Sequence, residues 1–64
     1  MRISENVALI EDGAFMYNTL ENLRIGANLF TIPRSAFCHN NLTNLVLPEN
    51  TQKIQSDAFS DNPI

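Results

Sequence analysis

Cys38 and His39 are neighbours, and a thiol beside an imidazole is the smallest pairing that could support nucleophilic catalysis or begin a metal site. The chain holds no other cysteine and no other histidine. No second ligand therefore stands at metal-site spacing, and no further histidine is available as a base. Glu11, Asp12, Asp57 and Asp61 fall in segments that read as turns, where carboxylates form a solvated face. Gly13 and Gly26 are the only glycines and stand alone, so there is no glycine-rich loop to cradle a phosphate. Arg2 and Arg24 remain as the one pairing of like charges at an interesting spacing, 22 residues apart. No catalytic residue, metal ligand or cofactor-binding residue is expected.

The elements that must carry these side chains are set by a repeat. Ala-Phe occurs at Ala14-Phe15, Ala36-Phe37 and Ala58-Phe59, each pair 22 residues after the last. In that register five columns are identical in all three copies: Asn6/Asn28/Asn50, Ile10/Ile32/Ile54, Ala14/Ala36/Ala58, Phe15/Phe37/Phe59 and Asn18/Asn40/Asn62. Met1/Leu23/Leu45, Ile3/Ile25/Leu47 and Leu20/Leu42/Ile64 are apolar throughout. Cys38 and His39 fall in the variable columns Met16/Cys38/Ser60 and Tyr17/His39/Asp61, which read as an outer loop. The chain is expected to be one repeat array over residues 1–64, with copies at 1–22, 23–44 and an incomplete 45–64.

Leu20-x-x-Leu23-x-Ile25-x-x-Asn28 and Leu42-x-x-Leu45-x-Leu47-x-x-Asn50 fit the leucine-rich-repeat signature. Alternation at 23/25 and 45/47 predicts short strands whose leucines point inward while residues 22, 24 and 26 point outward. The expected fold class is a leucine-rich-repeat solenoid of three 22-residue coils. Its parallel strands line a concave face, and tight or 3-10 turns over Ile10-x-x-x-Ala14-Phe15 form the convex side. Phe15, Phe37 and Phe59 should stack as an aromatic spine, with the small Ala14, Ala36 and Ala58 allowing close approach. Asn6, Asn28 and Asn50 should form an inward ladder that satisfies turn backbone groups. Asn18, Asn40 and Asn62 should take left-handed turn conformations.

Composition narrows the function classes. A 64-residue chain buries only about 60% of its unfolded surface, so its core must be compact or completed by a partner. Hydrophobic residues make up 44%, enough for such a core, and the formal charge of -3 with four scattered basic residues argues against nucleic-acid binding. No apolar run approaches the roughly eighteen residues of a membrane span. The start Met1-Arg2-Ile3-Ser4-Glu5-Asn6 carries acid and amide where a signal peptide would have its apolar region.

The run Ile32-x-x-x-Ala36-Phe37-x-x-Asn40-x-Leu42-Thr43-x-Leu45-x-Leu47-Pro48 resembles the BspA-like leucine-rich repeats of bacterial and protist surface proteins. The likeness covers essentially the whole chain. Gly26 and Ser4 depart from it where proline is usual, and so does Thr51-Gln52-Lys53 where apolar residues are usual. The resemblance implies a curved, non-enzymatic array used for adhesion or protein-protein contact, with no catalytic residues and no cofactor, in proteins of the cell surface or secreted. The binding face expected on this chain is the outward side of the strands, with Arg2, Asn22, Arg24, Asn44 and Val46 as its residues. Arg2 and Arg24 would dock a carboxylate or other anion of a protein partner, pair with Glu21, or stand as two mobile surface arginines in water. The alternative is a homo-oligomer: neither end carries a polar cap, and three repeats would need 66 residues, so copies could join head-to-tail or as an antiparallel dimer.

Overall fold

The structure is a computed structural model that describes residues 1–64. It is all-β, with four short strands: β1 (Asn22–Arg24), β2 (Thr31–Ile32), β3 (Asn44–Val46) and β4 (Lys53–Ile54). β1 pairs with β3 in parallel, placing Asn22 opposite Asn44, Leu23 opposite Leu45 and Arg24 opposite Val46. β2 pairs with β4 in parallel, placing Thr31 opposite Lys53 and Ile32 opposite Ile54. Every one of these pairs is separated by 22 residues, so the sequence period is also the hydrogen-bonding period. The first copy contributes only a single parallel bridge, Arg2 to Arg24.

This arrangement corrects the expected curved solenoid. Two flat two-stranded sheets are present: the second, β2–β4, lies on the side where only turns were expected, and tight turns over 34–37 and 56–59 follow its strands. Curvature in a repeat array comes from unequal widths: strands stack about 4.8 Å apart, whereas helices need about 10 Å. With strands on both sides, neither side is wider, and the stack stays flat. The phenylalanine rings keep the same even step, 5.4 Å from Phe15 to Phe37 and 5.6 Å from Phe37 to Phe59, nearly coplanar in orientation at 3° and 6°. The aromatic spine is therefore present.

No helical or 3-10 turn forms because left-handed residues interrupt each turn at fixed intervals. Gly13, Ser35 and Asp57 have φ of 66°, 57° and 60°, and Tyr17, His39 and Asp61 have φ of 56°, 55° and 57°. A helical turn needs consecutive negative φ values, which these two columns prevent. The left-handed position is thus the residue before the asparagine of the 18/40/62 column, and not the asparagine as expected from the sequence.

The core is one cluster of Ile3, Leu23, Ile25, Leu29, Ile32, Ala36, Phe37, Leu42 and Ala58, with Val7, Ile10, Phe15, Leu20, Leu45, Leu47 and Phe59 half-buried against it. Its centre is the middle copy, where Ile32, Ala36, Phe37 and Leu42 are wholly enclosed. Cys38 is also buried as a free thiol, which corrects its assignment to an outer loop.

The two asparagine columns exchange the roles expected of them. Asn40 is buried, and its Nδ2 donates to the carbonyls of Phe15, Phe37 and Cys38 at 3.0–3.3 Å. Its Oδ1 accepts from the Leu20 N–H at 3.0 Å. Asn62 repeats the pattern one step on, donating to Phe37, Phe59 and Ser60 carbonyls and accepting from the Leu42 N–H. Asn28 and Asn50 are exposed; each donates one 2.6 Å bond to the preceding copy, to the carbonyls of Glu5 and Ala27. They form a surface ladder and not the inward one expected. No buried side-chain nitrogen or oxygen lacks a partner.

Gly26 is required by close approach. A Cβ there would lie 2.7 Å from the carbonyl oxygens of Ile3 and Ser4 and 2.8 Å from the Glu5 nitrogen. These are backbone atoms that cannot swing aside. The departure from the proline usual in this column therefore has a structural cause.

Candidate binding face and the side-chain columns

The outward face of the β1–β3 sheet holds all five residues expected to bind. Strand alternation sends Leu23 inward and leaves Asn22 and Arg24 exposed; in β3 the half-buried Leu45 lies between exposed Asn44 and Val46. Asn44 Nδ2 donates to Asn22 Oδ1 at 2.8 Å, so the two amides form a rung across the sheet. The Met1 ammonium donates to the Asn22 carbonyl at 2.7 Å and anchors the first segment beside β1.

Arg2 and Arg24 are brought side by side by the Arg2–Arg24 bridge, one strand spacing apart. Neither forms an ion pair, and the pairing with Glu21 is not made; the one contact between a basic and an acidic side chain is His39 Nε2 to Asp61 Oδ2. Beside them lies a depression of about 330 Å³ lined by Arg2, Glu5, Arg24, Val46 and Pro48. The site is thus two adjacent guanidinium groups at the edge of a small polar-apolar hollow.

A second constellation lies along the left-handed column. The Tyr17 and His39 rings stack at 4.4 Å and 8°, and His39 Nε2 reaches Asp61 Oδ2 at 3.1 Å. Three successive copies are linked by these side chains on the surface. Cys38 makes no hydrogen bond to His39, and the imidazole is engaged with Tyr17 and Asp61 instead. A nucleophile–base pair does not assemble. No three His, Cys, Asp or Glu side chains converge as a metal ion would require.

The opposite face carries a feature the sequence reading missed. An open cleft of about 800 Å³ runs outside the β2–β4 sheet, with Leu9 81% exposed and Phe30 41% exposed along it. The signal was available in the variable columns Ala8/Phe30/Gln52 and Leu9/Thr31/Lys53. It went unread because a second strand was not expected there.

The whole is a stack of repeats with two exposed sheet faces. The chain matches the BspA type leucine-rich repeat region (6 copies) over residues 1–64, and it belongs to that family. It is accordingly non-enzymatic, in a family often found at the cell surface or secreted. No curated protein and no solved structure matches it. No helix is long and apolar enough to cross a membrane.

Proposed function

We propose that residues 1–64 act as one repeat array whose β1–β3 sheet face binds a protein partner through an acidic group seated between Arg2 and Arg24. One observation carries this reading. Two guanidinium groups stand on adjacent strands with no carboxylate paired to either. Like charges directly across a strand pair repel unless an anion lies between them. An arginine pair also suits a carboxylate, because each fork donates two parallel N–H bonds. Asn22 and Asn44 extend the polar rim, and Val46, 51% exposed, supplies apolar contact beside it.

The test uses hexaglutamate as the probe, followed by amide chemical shifts. Shifts at Arg2, Arg24 and Val46, abolished in Arg2→Ser/Arg24→Ser, are expected. A Leu9→Ser/Phe30→Ser variant should bind as the parent does. Binding that survives loss of both arginines, or that disappears only when Leu9 and Phe30 are replaced, overturns the reading.

A further inference from the structure

We propose that Asn41 is the acceptor of an N-linked glycan, transferred from a lipid-pyrophosphate-linked oligosaccharide and carried outside the strands of both sheets. The inference is independent of the arginine reading. Asn41 stands three residues before β3 begins, whereas Arg24 and Val46 lie at the far ends of β1 and β3.

Asn41-Leu42-Thr43 has the acceptor pattern, an asparagine followed two places on by a hydroxyl residue with no proline between. The chain has nine asparagines, and no other is followed two places on by serine or threonine, so the pattern allows one glycan per chain. Such a short pattern recurs by chance, and the fold decides whether its two polar ends are usable.

Exposure alternates along the triplet: Asn41 and Thr43 are exposed, and Leu42 between them is fully enclosed. The exposure of Asn41 belongs to its column, since Thr19 and Pro63 are exposed too, and it holds in the middle copy, which has a neighbour on each side. The preceding asparagine behaves in the opposite way. Asn40 commits its amide to the Phe15, Phe37 and Cys38 carbonyls, whereas the Asn41 amide bonds to nothing in the protein. Only the Asn41 backbone N–H is engaged, with the Leu20 carbonyl at 2.9 Å. A sugar on Asn41 Nδ2 therefore breaks no bond and enters solvent. Thr43 Oγ1 is as lightly held, by 3.4 Å contacts with the Glu21 carbonyl and Asn44 Nδ2 at the long limit of hydrogen bonding.

In the transfer, Asn41 Nδ2 attacks the anomeric carbon of the donor sugar. The C–N bond forms as the anomeric C–O bond breaks, the lipid pyrophosphate leaves with the electron pair, and the amide gives up one proton. The fold sets the order of events. A transferase reads the asparagine and the hydroxyl together, but in the folded chain Leu42 is enclosed and its N–H donates to Asn62 Oδ1 at 3.0 Å. Transfer therefore precedes burial of Leu42, and the folded stack leaves the glycan outside. The family is often found at the cell surface or secreted, the route on which such donors occur.

Secretion of the 64-residue chain from a eukaryotic cell under a cleavable leader tests the proposal, with the product's mass read before and after peptide-N-glycosidase. One glycan is expected, lost on enzyme treatment with a carboxyl group left at position 41. Asn41→Gln and Thr43→Ala should each abolish it, and Thr43→Ser, which keeps the hydroxyl, should retain it. The Phe37 and Leu42 amides should exchange at the same rates with and without the glycan. A secreted chain that carries no glycan, a glycan that survives Asn41→Gln, or core amides that exchange faster in the glycosylated chain would each overturn the proposal.

Discussion

The middle repeat and its two neighbours share five identical columns, yet most of the buried core lies in the middle one. Phe37 is completely enclosed between rings on both sides, while Phe15 and Phe59, each stacked on one side, remain partly exposed. Asn40 and Asn62 each make four bonds spanning two copies, while Asn18, in the first copy, makes two within its own. Burial here is conferred by coverage from both sides and not by residue type, as expected when each repeat touches only its neighbours.

Truncating the spine should break the comparison most strongly. Phe37→Ala should cost about 3–5 kcal/mol, because the cavity it leaves is closed on both faces. Phe15→Ala should cost clearly less, and urea midpoints of the two variants check the ordering. Equal losses would mean that the end copies are as enclosed as the middle one.

Next in size is the asparagine column. Asn40→Ala strands the Leu20 N–H, while the Phe15, Phe37 and Cys38 carbonyls keep donors in Asn18, Asn62 and the Tyr17 N–H, so the loss should be about 1–3 kcal/mol. The same change at Asn18 should stay below about 1 kcal/mol, since its carbonyl partners can turn to water.

Gly26→Ala sharpens the comparison at the seam between the first two copies. The added methyl must push apart the backbone of Ile3, Ser4 and Glu5, at about 1–3 kcal/mol. Thermal unfolding should show the loss, and an unchanged midpoint would mean the first copy is loosely held. The smallest effect is expected for Asn28→Ala, under about 1 kcal/mol, because its single bond to Glu5 lies in solvent.

The contrast explains what could be read from the residues alone. The period, the phenylalanine stack and the outward positions of Arg2, Asn22, Arg24, Asn44 and Val46 follow from alternation and register, which depend on local sequence. Curvature does not, since it depends on the relative widths of the two sides. A side built from β2 and β4 differs from one built from 3-10 turns through the backbone angles of Ser35, Asp57, His39 and Asp61. Gly13, Asp57, His39 and Asp61 are types that tolerate φ near +60°, and their recurrence at the period was the available signal. The unpaired state of Arg2 and Arg24 was one of the readings open from the sequence, and Glu21, close enough to have neutralised them, kept the alternative open.

Amide hydrogen exchange on the dilute monomer tests the claim that two-sided coverage makes the core. Ser35, Phe37 and His39 N–H, bonded to the third copy, should exchange slowest, and their column mates Asp57, Phe59 and Asp61, which lack acceptors, should exchange fast. Equal protection along the two sets would contradict the account.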